Sequence, residues 1–128
     1  MKKILLVDDE ESFCYFVKRN LELTGEFTVF TANNGEEGLE IARKEKPDLI
    51  LLDILMPGML GSDVAAKLQN DPVLSHIPVI FLTAIVQKEE FGDDLIKKSG
   101  RHLFLAKPVS PKELETAIKK ILEKKEQI

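Results

Sequence analysis

Five short apolar runs alternate with amphipathic segments along the chain, and this alternation constrains the fold more than any other feature. The runs cover residues 4–7, 27–32, 49–52, 79–82 and 103–106. They are too short for helices, and most are apolar at consecutive positions, which is typical of parallel strands covered by helices on both faces. The alternation therefore predicts a (βα)5 doubly wound α/β fold with a five-stranded parallel sheet and right-handed crossovers.

The segments between the runs carry apolar residues at helical spacing. In the last segment, Ser110 is the expected N-cap, Pro111 occupies the first helical position, and Glu113 completes a capping box. The fourth predicted helix contains Phe91 and is expected to end near Gly100. Two strand orders fit this alternation, the flavodoxin-like order 2-1-3-4-5 and a Rossmann-type order, and both place a binding site beyond the carboxyl ends of the strands.

Length, charge and cysteine content limit the class of protein. The 128 residues favour a single domain spanning 1–128. A net charge of −4 argues against direct nucleic-acid binding, which needs a basic patch. The single cysteine, Cys14, is expected to be a small buried apolar residue in a reducing compartment. We see no signal peptide and no membrane-spanning stretch, so we expect a cytoplasmic protein with no membrane partner.

Acidic residues follow two of the predicted strands. Asp53 ends the run at 49–52, and Asp8 and Asp9 follow the run at 4–7. Acids in a first helical turn also complement the helix dipole, and an Asp before a Pro-Gly pair can simply begin a turn. If the two strands are neighbours in a parallel sheet, however, three carboxylates converge in one crevice. Such a cluster requires a cation, and its hard oxygen ligands suit Mg²⁺.

Two further strand ends carry residues suited to phosphoryl chemistry. Thr83 ends the run at 79–82, and Lys107 follows the run at 103–106. Taken singly, Thr83 fits a helix N-cap and Lys107 fits a solvated strand end. As a set, the strand-end residues fit phosphoryl transfer to an Asp carboxylate, in which positioning and electrostatic stabilisation supply most of the catalysis.

Four motifs then identify a family. They are Leu-Leu-Val-Asp-Asp-Glu at 5–10, Leu-Leu-Asp-Ile-Leu-Met-Pro-Gly at 51–58, Leu-Thr-Ala at 82–84 and Lys-Pro at 107–108. Together they make the chain resemble, over essentially its whole length, the receiver domain of bacterial two-component response regulators. With this resemblance we expect the flavodoxin-like strand order.

The resemblance implies a role for each strand-end acid. Asp53 is expected to be the phosphoacceptor. Asp8, Asp9, Asp53 and the backbone carbonyl of Leu55 are expected to bind Mg²⁺. The chain would then be a signalling domain that assists its own phosphorylation and dephosphorylation, and not an enzyme.

The resemblance also implies a switch and partners. Thr83 and Lys107 are expected to bind the phosphoryl group, and Thr83 and Phe104 are expected to couple phosphorylation to a change of conformation. A sensor histidine kinase or a phosphotransfer protein would be the phosphodonor. A downstream effector or output domain would bind the face formed by the fourth predicted helix, the fifth predicted strand and the fifth predicted helix. A phosphorylation-dependent homodimer is compatible with the sequence.

Three positions depart from the family pattern. Leu60 stands where an Asp is common, Arg101 stands where a small residue is usual, and Val109 replaces a common aromatic residue. None of these changes removes a chemical group from the expected site, so they concern the loop after Asp53 and the partner surface.

Three other functions compete with this one. The first is a degenerate receiver that is never phosphorylated and acts as a protein-interaction module. The second is a haloacid-dehalogenase-like phosphatase, which requires an acid two residues after its nucleophile, where this chain has Leu55. The third is a flavin- or nucleotide-binding fold, whose phosphate loop would be rich in Gly or Ser/Thr instead of the acids at 8–11.

Overall fold

The computed structural model describes residues 1–83, 97–99, 102–106 and 110–126. The strands in these residues are β1 (Lys2–Val7), β2 (Phe27–Ala32), β3 (Leu49–Asp53), β4 (Val79–Thr83), β5 (Lys97–Ser99) and β6 (His102–Ala106). The helices are α1 (Glu11–Leu23), α2 (Gly35–Glu45), α3 (Gly61–Gln69) and α4 (Pro111–Glu126).

The strands form one sheet in the order β2-β1-β3-β4-β6-β5. The pairs β1–β2, β1–β3, β3–β4 and β4–β6 are all parallel. Because β6 is the fifth of the predicted strands, this arrangement confirms the doubly wound fold with the flavodoxin-like order 2-1-3-4-5. From β1 the chain adds β2 on one side of the sheet and β3 on the other. The crevice beyond the carboxyl ends of β1 and β3 is therefore the expected position of a site.

One element of the sheet was not predicted. Residues Lys97–Ser99 form β5, which pairs antiparallel with β6 and places Lys97 opposite Phe104. The prediction that a helix continues to near Gly100 is therefore wrong for these three residues, and residues 91–96 of that predicted helix lie outside the described part of the chain. Lysines are common on edge strands because their charge discourages pairing with a further chain.

Two apolar layers cover the sheet. One joins β1, β3, β4 and β6 to α1 and α4 through residues such as Ile4, Val17 and Ile118. The other joins the sheet to α2 and α3 through residues such as Ile50 and Val64. Residues 4–7 of β1, all of β3 and most of β4 are buried, which explains why these strands read as continuous apolar runs.

Hydrogen bonds at helix ends and between elements fix the helices that flank the crevice. In α4 the backbone N–H of Glu113 donates to Oγ of Ser110 at 3.1 Å, and the backbone N–H of Ser110 donates to Oε1 of Glu113 at 3.1 Å. These bonds confirm the predicted capping box. In α1, Oε2 of Glu22 accepts from the backbone N–H of Val29 on β2 at 3.1 Å. This bond, with help from Lys18, lowers the pKa of Glu22.

No helix within the described residues is both long and apolar enough to span a membrane.

Candidate metal and phosphoryl site

The parallel pairing of β1 and β3 brings the predicted acids together at one edge of the sheet. Val7 is level with Leu52, so the next residues along the two strands, Asp8 and Asp53, emerge side by side. Asp8 is fully buried and Asp53 is 7% exposed, whereas Asp9 is exposed. Two carboxylates are thus held inside the protein and a third closes the crevice from the solvent side.

Each of these three acids offers a carboxylate oxygen, and the three oxygens lie within 4.8 Å of one another. Like charges at this separation repel one another, and the repulsion grows as water is excluded. A divalent cation removes this cost. The donor set fits Mg²⁺, because carboxylate oxygens are hard ligands and three of them leave coordination positions for water and phosphate oxygens. The structure therefore brings Asp8, Asp9 and Asp53 together as predicted.

The loop after Asp53 is closed by backbone contacts. The N–H of Ile54 donates to the carbonyl of Leu82 on β4 at 3.3 Å, and the N–H of Gly61 donates to the carbonyl of Ile54 at 2.9 Å. At its tip, Gly58 has a φ of +86°, a conformation that favours glycine. Leu55 in this loop exposes 57% of its surface. The assignment of its carbonyl as a metal ligand stays a prediction.

Gly61 allows this loop to pass close to the backbone of Asp53. A Cβ placed on Gly61 would overlap the carbonyl oxygen of Asp53 and would lie 2.9 Å from Cα of Ile54. Both of these atoms belong to the backbone, so they cannot move aside as a side chain can. Gly61 is not among the site residues predicted from the sequence.

Thr83 is the next strand-end residue along the sheet. β4 pairs with β3 so that Asp53 is level with Leu82, and Thr83 follows by one residue. Thr83 is 2% exposed and pairs in register with Ala106 of β6. Asp53 and Thr83 therefore sit on neighbouring strands at the same edge of the sheet. Lys107 comes after Ala106 in the chain and lies outside the described residues.

Phe104 lies two residues before the end of β6 and is half-buried. Its ring stacks on Phe81 of β4 with centroids 5.4 Å apart and an interplanar angle of 25°. A cavity of about 310 Å³ adjoins the two rings and is lined also by Ile54 and Ala65. The predicted switch aromatic thus has a defined partner and adjacent open space.

Two residues that sequence reasoning missed contact the backbone of Asp8. Nδ2 of Asn33 donates to the carbonyl of Asp8 at 3.0 Å, and Sγ of Cys14 lies 3.4 Å from the same oxygen. The burial of Cys14 was predicted and is confirmed. Its contact with Asp8 was not predicted. The available signal was the position of Asn33 directly after β2, at the same edge of the sheet as the acids.

The match to a family model decides which family the chain belongs to. Residues 4–119 match the response regulator receiver domain. The chain belongs to the response regulator receiver family. Receiver domains of this family are signalling domains of two-component systems and not classical enzymes.

Named relatives of this receiver domain include whole response regulators of two lengths. It is 42% identical over 125 residues to the alkaline phosphatase synthesis transcriptional regulatory protein PhoP of Bacillus subtilis, covering 98% of this chain and 50% of that protein. It is 38% identical over 123 residues to the protein PilH of Pseudomonas aeruginosa, covering 95% of this chain and 98% of that protein. The receiver domain thus spans about half the length of the first relative and nearly all of the second.

A solved structure agrees with the fold. The receiver domain superimposes on a CheY-like response regulator receiver domain protein from Methanospirillum hungatei with a TM-score of 0.80 at 28% identity, covering 99% of this chain and 98% of that one. The similarity therefore extends over nearly the whole chain.

Proposed function

We propose that this receiver domain accepts a phosphoryl group on Asp53 in a phosphorelay and thereby changes its affinity for a downstream partner. The observation that carries the proposal is the convergence of three carboxylate oxygens within 4.8 Å, with Asp8 and Asp53 both buried. Buried carboxylates in mutual contact are costly to keep unless a bound cation and a reaction make use of them. Membership in the receiver family supports the same reaction.

Asp8, Asp9, Asp53 and the backbone carbonyl of Leu55 would hold Mg²⁺. The bound ion supplies charge neutralisation for the transferring phosphoryl group. Asp53 ends β3, all of whose residues are buried, so its backbone is held firmly in the sheet. This rigidity favours transfer because the reacting oxygen needs little reorganisation.

The transfer forms one bond and breaks another. A carboxylate oxygen of Asp53 attacks the phosphorus of a phosphohistidine, and the bond between phosphorus and the imidazole nitrogen breaks. The nitrogen retains the electron pair and the product on Asp53 is an acyl phosphate. Lys107 would pair with a phosphoryl oxygen, and the hydroxyl of Thr83 would donate to another. A small phosphodonor such as acetyl phosphate would react in the same way, with acetate as the leaving group.

The partners follow from this chemistry. A sensor histidine kinase or a phosphotransfer protein would supply the phosphohistidine in the cytoplasm. A downstream effector or an output domain would bind the face formed by the fourth predicted helix, β6 and α4. Here β6 is the fifth predicted strand and α4 is the fifth predicted helix. We propose no contact with nucleic acid or membrane, and a phosphorylation-dependent homodimer would use this same face.

The proposed function predicts a gain of one phosphoryl group in intact mass after incubation with acetyl phosphate and Mg²⁺. The gain should disappear when Mg²⁺ is chelated and in Asp53→Ala, because the first condition removes charge neutralisation and the second removes the nucleophile. Asp63→Ala is the matched control, since Asp63 is an exposed acid at the start of α3. A wild-type protein that gains no mass would instead favour the degenerate receiver.

The proposed switch connects Thr83 to Phe104. Thr83 is buried at the end of β4, and Phe104 lies on the adjacent strand beside a cavity of about 310 Å³. Phosphorylation would draw the Thr83 hydroxyl towards Asp53, and the ring of Phe104 would occupy the space that this movement leaves. Phosphorylation can shift this equilibrium only by the difference in its interaction with the two conformations, typically about 1–3 kcal/mol.

Thr83→Ala should therefore separate phosphorylation from the switch. We expect the variant to gain the phosphoryl group, because Asp53 and the metal ligands are intact, but to lose most of the movement of Phe104. Aromatic NMR resonances of Phe104 measure that movement, and Thr83→Ser is the control because it retains the hydroxyl. Equal phosphorylation-induced shifts in Thr83→Ala and wild type would contradict the proposed coupling.

A further inference from the structure

We infer that Asn33 is a positioning residue for the metal site, because it fixes the peptide group that joins Asp8 to Asp9. The inference rests on the proposed function, in which these two acids bind Mg²⁺. Asn33 makes no contact with the metal in this account, and its effect is transmitted through the backbone of Asp8.

The residue Asp8 is held at three of its polar groups. Its N–H donates to the carbonyl of Ala32 at 3.0 Å, and its Oδ1 accepts from the N–H of Glu10 at 3.0 Å. Its carbonyl accepts from Nδ2 of Asn33 at 3.0 Å. The first bond extends the β1–β2 pairing by one residue and the second orients the side chain. The third fixes the plane of the following peptide group.

Cys14 lies beside the hydrogen bond between Asn33 and Asp8. Sγ of Cys14 lies 3.4 Å from the carbonyl oxygen of Asp8 and 3.7 Å from Nδ2 of Asn33. A thiol is a weak donor and a weak acceptor, so it can donate to the carbonyl and accept from the amide. The Asp8 carbonyl and the Cys14 thiol then both accept from the Asn33 amide. The amide nitrogen, and not its oxygen, therefore faces Asp8.

The peptide plane matters because it carries two metal ligands, one on each side. Rotating it changes ψ of Asp8 and φ of Asp9 together, and so changes the angle between their carboxylates. Mg²⁺ requires near-octahedral geometry and tolerates misplaced ligands poorly. Mutation of residues that orient metal ligands commonly costs about 10- to 100-fold in metal affinity or activity. In Asn33→Ala a water molecule could satisfy the Asp8 carbonyl, but it would not fix the direction of the bond.

The test compares Asn33→Ala with Asn34→Ala by calorimetric titration of the metal-free proteins with magnesium chloride. Neither change alters charge. Asn34 is the matched control because its Oδ1 caps α2 by accepting from the N–H of Glu37 at 2.8 Å, so its loss destabilises the fold without contact to Asp8. We expect Asn33→Ala to raise the Kd for Mg²⁺ about tenfold, the lower end of the range for residues that orient metal ligands. Asn34→Ala should leave it within about twofold, since it removes only a helix cap.

The possible results separate a failure of the Asn33 inference from a failure of the proposed function. Urea midpoints for both variants should fall, so that only the Kd separates positioning from stability. Equal Kd values in Asn33→Ala and wild type would overturn the positioning role and leave the proposed function intact. A wild-type protein that binds no Mg²⁺ would overturn both.

Discussion

Asp8→Asn is expected to remove about half or more of the stabilisation that Mg²⁺ gives to the folded protein. At a free concentration of 100 times Kd, an ion that binds only the folded state stabilises it by about 2.7 kcal/mol. Replacing one of three carboxylate ligands should weaken binding by at least about tenfold, which leaves about 1.4 kcal/mol or less at the same concentration. The asparagine retains the shape of Asp8 and an oxygen that can accept from Glu10.

Urea denaturation with and without Mg²⁺, followed by circular dichroism, measures this difference. Asp71→Asn is the matched control. Asp71 accepts from the N–H of Val73 at 2.8 Å, the same local bond that Asp8 makes with Glu10, but it lies in the connection before β4, at the opposite edge of the sheet. The control should keep the full response to Mg²⁺. A similar response in Asp8→Asn and wild type would show that Asp8 is not a ligand.

Gly61→Ala is expected to lower the free energy of unfolding by about 2–3 kcal/mol, the upper part of the range for forcing extra atoms into a packed site. An alanine at the start of a helix ordinarily costs nothing and even favours the helix. Here the added Cβ meets the carbonyl of Asp53 and Cα of Ile54, so the loop must move away from β3. Because the displaced backbone belongs to the proposed phosphoacceptor, phosphorylation should slow as well.

Gly58→Ala provides the comparison for this prediction. Gly58 lies in the same loop with a φ of +86°, but nothing stands within 4 Å of a Cβ placed there. Its replacement introduces only backbone strain, which is expected to cost about 1 kcal/mol. If chemical denaturation finds Gly61→Ala no less stable than Gly58→Ala, the close approach of the loop to Asp53 is not as tight as described.

Much of this fold could be predicted from the sequence because several signals agree. Apolar runs buried on both faces define the parallel strands, and the Ser110 capping box defines the start of α4. The edge strand β5 could not be predicted in this way. Its three residues, Lys-Lys-Ser, are polar and follow a segment with helical spacing. They form a strand only because β6 offers an unpaired edge, which is a tertiary effect that overrides local preference.

The candidate site could also be predicted only in part. Asp8 and Asp53 could be predicted to meet because parallel strands place their carboxyl ends together. The contacts of Asn33 and Gly61 could not be predicted, since the first depends on how two loops pass one another and the second on how one loop folds back onto its own start. Asn33 reaches an atom 25 residues away in sequence, and no periodic pattern encodes such an encounter.

In β6, the side chains that hold the strand in place and the side chain proposed to move lie on opposite faces. Leu103 and Leu105 pack into the apolar layer beneath α1 and α4, whereas Phe104 between them belongs to the layer shared with α2 and α3. Successive side chains of a strand point to opposite faces, so the aromatic ring can change its rotamer while both leucines stay packed. If Phe104 moves as proposed, one face of β6 would change while Leu103 and Leu105 still hold the strand against α1 and α4.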